Sequence, residues 1–424
     1  MISDKQKKIL AFPYSEFDAI ICDGAVRSGK TSIMSVSFLR WAMDNFSYQR
    51  FGFCGKTVDS CWKNLVTPLI SLSYIKKRYT IQVRRSEKII EVRRGKAVNY
   101  FEVFGGKDEG SAALIQGRTL AGVLLDEVVL MPESFVNQAL ARCSVEGART
   151  WFSCNPGPPS HWFKKKWIDR KREHNALYLH FEMTDNPALS EKTLARYRSM
   201  YSGVFYERYI LGKWVAAEGL VYPMFDEARH VLAAPPETEG EVYVSADYGI
   251  QNATVFLVWR REAGTGRWIC LAESYYSGRD EKRQKTVAEL ADSLDALLGG
   301  LGAAGGNAAR VTPKRVILDP SAAALKVELR RRGYHTQDAD NDVSNGINDV
   351  CTLLGADRLA FMPCCGNTIK EFGAYLWDAK AADRGEDAPV KENDHAMDAV
   401  RYFVRTLRLV QKAGKPEYRP VWMM

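Results

Sequence analysis

Hydrophobic positions in residues 1–215 fall into short runs separated by helical segments. Four runs are almost continuously apolar and end in turns, and they read FDAIICDG, QRFGFCGK, AGVLLDE and ARTWFSCNP. Such runs are typical of parallel strands covered by helices on both faces. Residues 79–104 instead alternate apolar and polar positions, which predicts antiparallel strands at a sheet edge. Residues 190–212 predict a helix with Ser190 as its N-cap.

The periodicity is lost between residues 214 and 241, a stretch that contains three prolines. This loss predicts four parts: a first domain over 1–215, a linker over 216–240, a second domain over 241–412 and a tail over 413–424.

The second domain begins with three successive apolar runs, EVYVSADYG, ATVFLVWRRE and RWICLAESYY, which predict three strands. The remaining pattern predicts a helix over 281–298, a Gly/Ala-rich loop over 299–309, a strand at KRVILD, a helix over 321–332 and a final helix from 394 to about 410.

Composition excludes several classes of protein. A hydrophobic content of 46% argues against disorder, and no apolar run approaches the length of a membrane helix. The N-terminal MISDKQKKIL predicts no signal peptide. The nine cysteines are scattered without a CxxC pair, so we expect reduced thiols and neither a disulfide framework nor a zinc site. Residues 1–215 carry a net charge of +12 and the remainder −4, which suits a phosphate-rich partner for the first half.

A phosphate-binding loop is predicted at GAVRSGKT, residues 24–31. Glycines allow backbone N–H groups to wrap phosphate oxygens, a lysine neutralises the β- and γ-phosphates, and a threonine hydroxyl reaches Mg²⁺. An apolar strand precedes the loop and a helix follows it, as this site requires. The candidate nucleotide-binding residues of the loop are Gly24, Arg27, Ser28, Gly29, Lys30 and Thr31.

The companion motif is VLLDE at 123–127. Its strand would deliver Asp126 to the Mg²⁺ shell, and Glu127 would polarise the attacking water. Two interpretations stay open for Arg27, a solvated side chain or an arginine that stabilises the γ-phosphate in cis. Gln6 is likewise either an adenine-reading amide or an ordinary polar residue of a terminal helix.

Three acids of the second half lie at the ends of strands or on a helix: Asp247, Asp319 and Asp398. Three carboxylates from separated segments can hold two Mg²⁺ or Mn²⁺ ions for phosphodiester hydrolysis. Asp394 is interpreted as the N-cap of the final helix rather than as a ligand. His395 is either a surface residue or a member of the metal site. Basic runs at 76–78, 84–85, 164–166, 170–172 and 330–332 are candidates for phosphate contacts or solvated faces.

Taken together, these residues resemble the large terminase subunit of tailed bacteriophages, which packages DNA into procapsids. The resemblance covers nearly the whole chain and includes GAVRSGKT, VLLDE, the SCNP segment at 153–156, GLVYPMF, SADYG, ILDPSA and DHAMDAVRY in that order. It implies an α/β protein with an N-terminal P-loop ATPase domain and a C-terminal ribonuclease-H-like nuclease domain.

The resemblance also implies roles. Lys30, Thr31, Asp126 and Glu127 fall on the ATP and Mg²⁺ positions, and Ser153 to Asn155 on the segment that couples hydrolysis to motion. Asp247, Asp319 and Asp398 fall on the nuclease metal positions, with His395 on a variable one. The implied partners are double-stranded DNA, a small terminase subunit and a portal protein on the procapsid, where a ring of copies would assemble; the implied location is the host cytoplasm and, transiently, the portal vertex. Two alternative interpretations of the function stay open. One is an ATP-dependent helicase or translocase without nuclease activity, and the other is a structural component of the capsid vertex.

Overall fold

A computed structural model describes residues 2–410 except 202, 250, 251, 280, 305–310 and 393. Each half of the chain is built on its own β-sheet. The tail predicted at 413–424 and the last part of the loop predicted at 299–309 lie outside the described residues.

The first half contains an eight-stranded sheet. Its strands are β1 (Ala19–Gly24), β2 (Arg50–Gly55), β3 (Thr80–Arg84), β4 (Ile89–Arg94), β5 (Ala97–Gly105), β6 (Gly122–Leu125), β7 (Arg149–Ser153) and β8 (Ala176–Phe181). Their order across the sheet is β3-β4-β5-β2-β6-β7-β1-β8. The six neighbouring strands β5-β2-β6-β7-β1-β8 all pair in parallel. At the other edge, β3 pairs antiparallel with β4, and β4 pairs antiparallel with β5. The parallel sheet and its antiparallel edge are therefore as predicted.

Helices cover both faces of this sheet. They are α1 (Asp4–Ala11), α2 (Lys30–Asn45), α3 (Val58–Cys61), α4 (Thr67–Ser71), α5 (Ser73–Arg78), α6 (Glu133–Ala141), α7 (Glu191–Ser199) and α8 (Gly203–Tyr209). Neighbouring residues of β7 point to opposite faces: Trp151 packs on Phe38 of α2, and Phe152 packs on Phe163. Two apolar faces explain why these strands read as continuous apolar runs.

The helix predicted over 190–212 is divided into α7 and α8. Ser190 caps α7 as predicted, because its hydroxyl accepts a hydrogen bond from the Thr193 backbone N–H at 3.3 Å. The break has a local cause: Gly203 has φ of 54°, the left-handed conformation that interrupts a right-handed helix.

The second half contains a six-stranded sheet. Its strands are β9 (Thr238–Asp247), β10 (Ala253–Glu262), β11 (Trp268–Ser277), β12 (Arg315–Leu318), β13 (Thr336–Asp338) and β14 (Leu359–Phe361), in the order β13-β12-β9-β10-β11-β14. The three predicted strands form an antiparallel β9-β10-β11 unit, and β12 lies parallel to β9. The helices are α9 (Glu227–His230), α10 (Val287–Ala304), α11 (Ala323–Arg331), α12 (Val343–Gly355), α13 (Gly366–Ala374), α14 (Ala379–Asp383) and α15 (His395–Thr406).

Helix α10 departs from the prediction at both ends. It begins at Val287 instead of 281, because Thr286 and Glu289 cap its N-terminus reciprocally through backbone N–H groups. It continues to Ala304, so the loop predicted over 299–309 is wrong for residues 299–304. Leu298 is buried and Leu301 packs against the same apolar cluster, so the apolar face of the helix continues past Gly299 and Gly300.

The segment 216–240, predicted as a linker, packs on the second half. The Val221 N–H donates to the Tyr375 carbonyl at 2.8 Å, and Ala217 and Tyr222 lie in the core of the second half. Phe205 of α8 joins the same core. Within the described residues, no helix is both long and apolar enough to span a bilayer.

Candidate active sites

The phosphate loop connects the end of β1 to the start of α2. Gly24 has φ of 122°, and a Cβ there would lie 1.9 Å from the Phe181 carbonyl oxygen. Gly29 has φ of 82° and is the N-cap of α2, without a side chain that would accept from the first N–H groups of the helix. These groups and the positive end of the helix dipole therefore face the loop, as anion binding requires.

Lys30 is buried beneath this loop. Its ammonium donates to the carbonyls of Gly24 at 3.2 Å and Ala25 at 3.0 Å, and to Asn155 Oδ1 at 2.7 Å. Burial lowers the pKa of Lys30. The predicted coupling residue Asn155 thus contacts the predicted phosphate lysine directly.

Asp126 lies beside Thr31, the last residue of the loop. The Thr31 hydroxyl donates to Asp126 Oδ1 at 2.9 Å, and the Ser153 hydroxyl donates to the same oxygen. The pKa of Asp126 is raised, because the effect of burial exceeds the opposing effect of these two hydrogen bonds. The structure therefore places hard oxygen donors from three predicted site residues together, which is the ligand chemistry Mg²⁺ prefers.

Glu127 and Arg27 both have strained backbones. Their φ angles are 57° and 59°, left-handed values that cost a non-glycine residue about 1–3 kcal/mol. Burial, and secondarily the neighbouring Asp126 charge, raises the pKa of Glu127 to about 7. Strain of this kind clusters at functional sites, and both residues line one cavity.

That cavity has a volume of about 1170 Å³ and lies between the two halves of the chain. The phosphate loop, Asp126, Glu127 and Asn155 form one side. Residues of the second half, among them Thr352, Leu353 and Arg358, form another. The volume is sufficient for a nucleotide.

Three further predicted residues border this cavity or its loop. The Arg27 guanidinium lies 5.6 Å from the centre of the Tyr197 ring. Ser28 Oγ is buried and has no hydrogen-bond partner among the described residues. Gln6 caps α1, because its Oε1 accepts from the Ser3 N–H at 3.0 Å. Its Nε2 nevertheless faces the loop, since a Cβ at Gly29 would lie 2.6 Å from it.

Asp23 was missed by sequence reasoning. It is fully buried one residue before Gly24, and its carboxylate accepts from Tyr178 Oη at 3.0 Å and Trp214 Nε1 at 2.7 Å and contacts His180 Nδ1 at 2.8 Å. The available signal was a charged residue at the end of the apolar run FDAIICDG. This carboxylate ties the phosphate loop to Trp214, just before the segment that enters the second half.

The three acids of the second half lie on elements that pack together. Asp247 ends β9, Asp319 follows the parallel neighbour β12, and Asp398 is on α15, which packs across both strands. The Tyr402 hydroxyl donates to Asp319 Oδ2 at 2.8 Å. Burial raises the pKa of Tyr402, and the charges of Asp398 and Asp247 raise it further. Tyr402 therefore hydrogen-bonds one predicted acid, and its pKa responds to the charges of the other two. Sequence reasoning missed it although it lies four residues after Asp398.

His395 joins this cluster. Its Nδ1 lies 2.8 Å from Asp247 Oδ2, and this hydrogen bond raises the pKa of His395. Burial raises the pKa of Asp247. Asp394 occupies the N-cap position of α15, but its carboxylate makes no capping bond in the part of the chain that the structure describes.

A distant residue replaces that cap. The Glu371 carboxylate on α13 accepts from the backbone N–H groups of Ala396 at 2.8 Å and Met397 at 3.2 Å. The expectation that Asp394 caps the helix by its side chain is therefore wrong, because a buried carboxylate from another helix satisfies these donors.

Cationic side chains accompany the acids. Arg401 donates to Asp398 Oδ1 at 2.8 Å, and the Lys391 ammonium lies 3.2 Å from Asp394 and 3.7 Å from Asp398. Among the described residues, no three His, Cys, Asp or Glu side chains are arranged to hold a metal ion. The donor chemistry nevertheless fits a hard cation, since the cluster consists of carboxylate oxygens with one imidazole.

Comparisons with known proteins identify the family of the chain. The family described as "Terminase large subunit, T4likevirus-type, N-terminal" matches residues 21–229. The structure of the large terminase from a thermophilic bacteriophage is 46% identical, with a TM-score of 0.88, and the match covers 96% of this chain and 99% of that one. The chain belongs to the large terminase family.

Two further structures from the same thermophilic phage match this large terminase with TM-scores of 0.86, one in complex with ADP at 46% identity and one with ATP-gamma-S at 45%. Each match covers 96% of this chain and 100% of the other. No curated protein sequence matches the chain. The prediction of an α/β large terminase that packages and cuts DNA with ATPase and nuclease activities is confirmed, and the helicase or translocase alternative gains no support.

Proposed function

We propose that the large terminase divides its two activities between the two sites described above. The phosphate loop and its cavity hydrolyse ATP to drive movement of double-stranded DNA, and the acids around Tyr402 cut it. The observation that carries this assignment is that one Asp126 oxygen accepts hydrogen bonds from both Thr31 and Ser153. This oxygen lies next to Glu127 in the lining of a cavity large enough for a nucleotide. The complexes of the thermophilic phage enzyme with ADP and ATP-gamma-S support nucleotide binding.

At the ATP site, Thr31 and Asp126 would hold Mg²⁺, which neutralises charge on the β- and γ-phosphates when bound. Lys30 and the N-terminus of α2 bind and orient the phosphates. Glu127 orients the attacking water and accepts its proton, for which a pKa of about 7 is well matched to neutral pH. Arg27 stabilises negative charge on the transferring phosphoryl group.

At the nuclease site, Asp247, Asp319 and Asp398 would hold Mg²⁺ or Mn²⁺, with His395 beside them. The ions supply stabilisation of the attacking and leaving oxygens of the phosphodiester. The protein's own contribution is orientation: Tyr402 fixes Asp319, and His395 fixes Asp247.

The partners follow from family membership and the basic first half. We propose that double-stranded DNA, a small terminase subunit and the portal of a procapsid are the partners, and that several copies form a ring on the portal. DNA packaging would then take place in the host cytoplasm at the portal vertex.

One preparation of the full chain tests the division of labour. Glu127→Gln should reduce DNA-stimulated ATP hydrolysis by at least about 10²-fold and leave Mn²⁺-dependent nicking of supercoiled plasmid intact. Asp398→Asn should abolish nicking and leave DNA-stimulated ATP hydrolysis intact. If either substitution abolishes both activities in a folded protein, or if neither affects its assigned activity, the assignment is wrong.

A further inference from the structure

The charge of the first half is concentrated at one edge of its sheet. Residues 76–96 contain nine basic and two acidic side chains, a net charge of +7, compared with +8 for the whole chain. They comprise the end of α5, the edge strand β3, the strand β4 and the turns that follow each strand.

In the other basic runs a larger share of the side chains is paired with neighbouring acids. In the run 330–332, Arg331 pairs with Glu328, and Arg332 pairs with Glu328 and two aspartates of α10. In the stretch 164–172, half of the six basic residues are paired, and the pairs are Lys164–Asp169, Lys166–Glu133 and Arg170–Glu173.

The edge at 76–96 differs from both. Only three of its nine basic residues, Arg84, Arg93 and Arg94, are paired with acids. Six have no carboxylate within 4.0 Å among the described residues, and all six are exposed. We call them the basic edge: Lys76, Lys77, Arg78, Arg85, Lys88 and Lys96.

The basic edge has the dimensions of a duplex contact. Lys76, Lys77 and Arg78 lie at one end of β3, and Arg85 and Lys88 lie in the turn at its other end. Five residues of antiparallel strand span about 17 Å. Duplex DNA carries about ten phosphates along that length of its axis. Arg85 is held in place, because its guanidinium lies 5.0 Å from the centre of the buried Trp62 ring.

We propose that the basic edge binds the phosphate backbone of duplex DNA without reading its sequence. This rests on the proposed function, in which the first half moves DNA. The competing explanation is that charge on an edge strand only prevents association with other sheets. Blocking an edge requires a few charges on the strand, whereas the six unpaired cations lie on the flanking helix and turns, where they block no strand pairing.

Two double substitutions in the full chain test the proposal. Lys76→Gln with Lys77→Gln removes two unpaired charges, and Lys88→Gln with Lys96→Gln removes two others from the turns. The matched control, Lys164→Gln with Lys166→Gln, removes two paired charges. Binding of a short duplex is measured by fluorescence anisotropy at several salt concentrations.

Each edge variant should weaken binding on the order of tenfold at physiological salt and reduce the slope of log K against log salt by about two. The control should change the slope little, and ATP hydrolysis measured without DNA should stay at the wild-type rate in all variants. An equal effect of the control and the edge variants would reduce the proposal to a net-charge effect and overturn it. Self-association of the edge variants with unchanged DNA binding would favour the edge-blocking explanation and also overturn it. If the unaltered chain itself bound no duplex, the proposed function would fail, whichever residues form the edge.

Discussion

At the scale of single residues, sequence motifs located the reacting groups, and the structure added the residues that hold them. Gly24, Lys30 and Asp126 belong to patterns whose spacing is fixed by phosphate chemistry, so they were predictable. Asp23 and Tyr402 belong to no pattern. Their importance depends on partners more than a hundred or about eighty residues away, which no local spacing encodes.

Arg27 is the residue whose role the sequence left open. Its strained backbone and its position on the cavity wall favour the functional interpretation. Arg27→Ala should reduce kcat for ATP hydrolysis by about 10³-fold with little change in KM, because an arginine acting on the transition state contributes that much. Tyr197→Leu removes only the ring beneath the guanidinium and serves as the control. A rise in KM alone in steady-state kinetics would show that Arg27 serves ground-state binding instead.

The buried Asp23 makes stability depend on the charge of His180. The hydrogen bond to Asp23 raises the pKa of His180 above 6.5, so the folded state binds the proton more tightly than the unfolded state. This contribution is fully present below about pH 6.5 and is lost as pH rises through the folded-state pKa. His180→Gln should therefore destabilise most at pH 6 and progressively less toward pH 9 in urea unfolding.

His335→Gln is the control for this pH dependence. His335 is exposed and has no carboxylate within 4.0 Å among the described residues. The free energy of unfolding of this variant is measured over the same pH range as a reference. If the effect of His180→Gln varied with pH no more than that of the control, the ion pair with Asp23 would contribute nothing measurable.

At the scale of elements, strands were easier to predict than helix ends. A strand buried on two faces needs an unbroken apolar run, and that pattern is visible in β1, β2, β6 and β7. Helix ends depend on which side chain satisfies the free N–H groups. For α10 this was a local pair, Thr286 and Glu289, and for α15 it was Glu371 of another helix.

The cap on α15 carries a prediction about the nuclease site. Glu371→Ala should cost about 1–2 kcal/mol and strongly reduce nicking, because the first turn of α15 presents His395 and Asp398. ATP hydrolysis should be unchanged. Glu289→Ala is a control, since Glu289 caps α10 through the Thr286 N–H in the same half, and α10 carries neither Glu371 nor any of the three acids. Equal loss of nicking in both variants, at equal loss of stability, would remove any special role of Glu371.

At the scale of the whole molecule, the two halves meet at the ATP cavity. The buried Arg208 of α8 pairs with Asp387, and the Thr352 hydroxyl donates to the Met200 carbonyl at 2.5 Å. Because α7 and α8 also follow the phosphate-loop sheet in the chain, they connect the nucleotide cavity to the core of the second half. Loss of periodicity in the sequence marked the region of the junction, but it did not show on which half the irregular segment packs.

That packing decides where the nuclease half can be separated. A fragment of residues 216–412 keeps Ala217, Val221 and Tyr222 in its core, whereas a fragment of residues 240–412 loses all three. At about 2 kcal/mol for each large buried side chain, the shorter fragment should lose several kcal/mol, a large part of the stability of an ordinary domain. It would also remove the edge-to-face contact of Tyr222 with Phe372 and the stacking of Tyr222 on Tyr375. We expect the fragment from 216 to unfold cooperatively and to nick supercoiled plasmid with Mn²⁺, and the fragment from 240 to bind hydrophobic dye and remain inactive. Indistinguishable thermal unfolding of the two fragments would show that the segment 216–240 is a linker after all, in spite of its contacts.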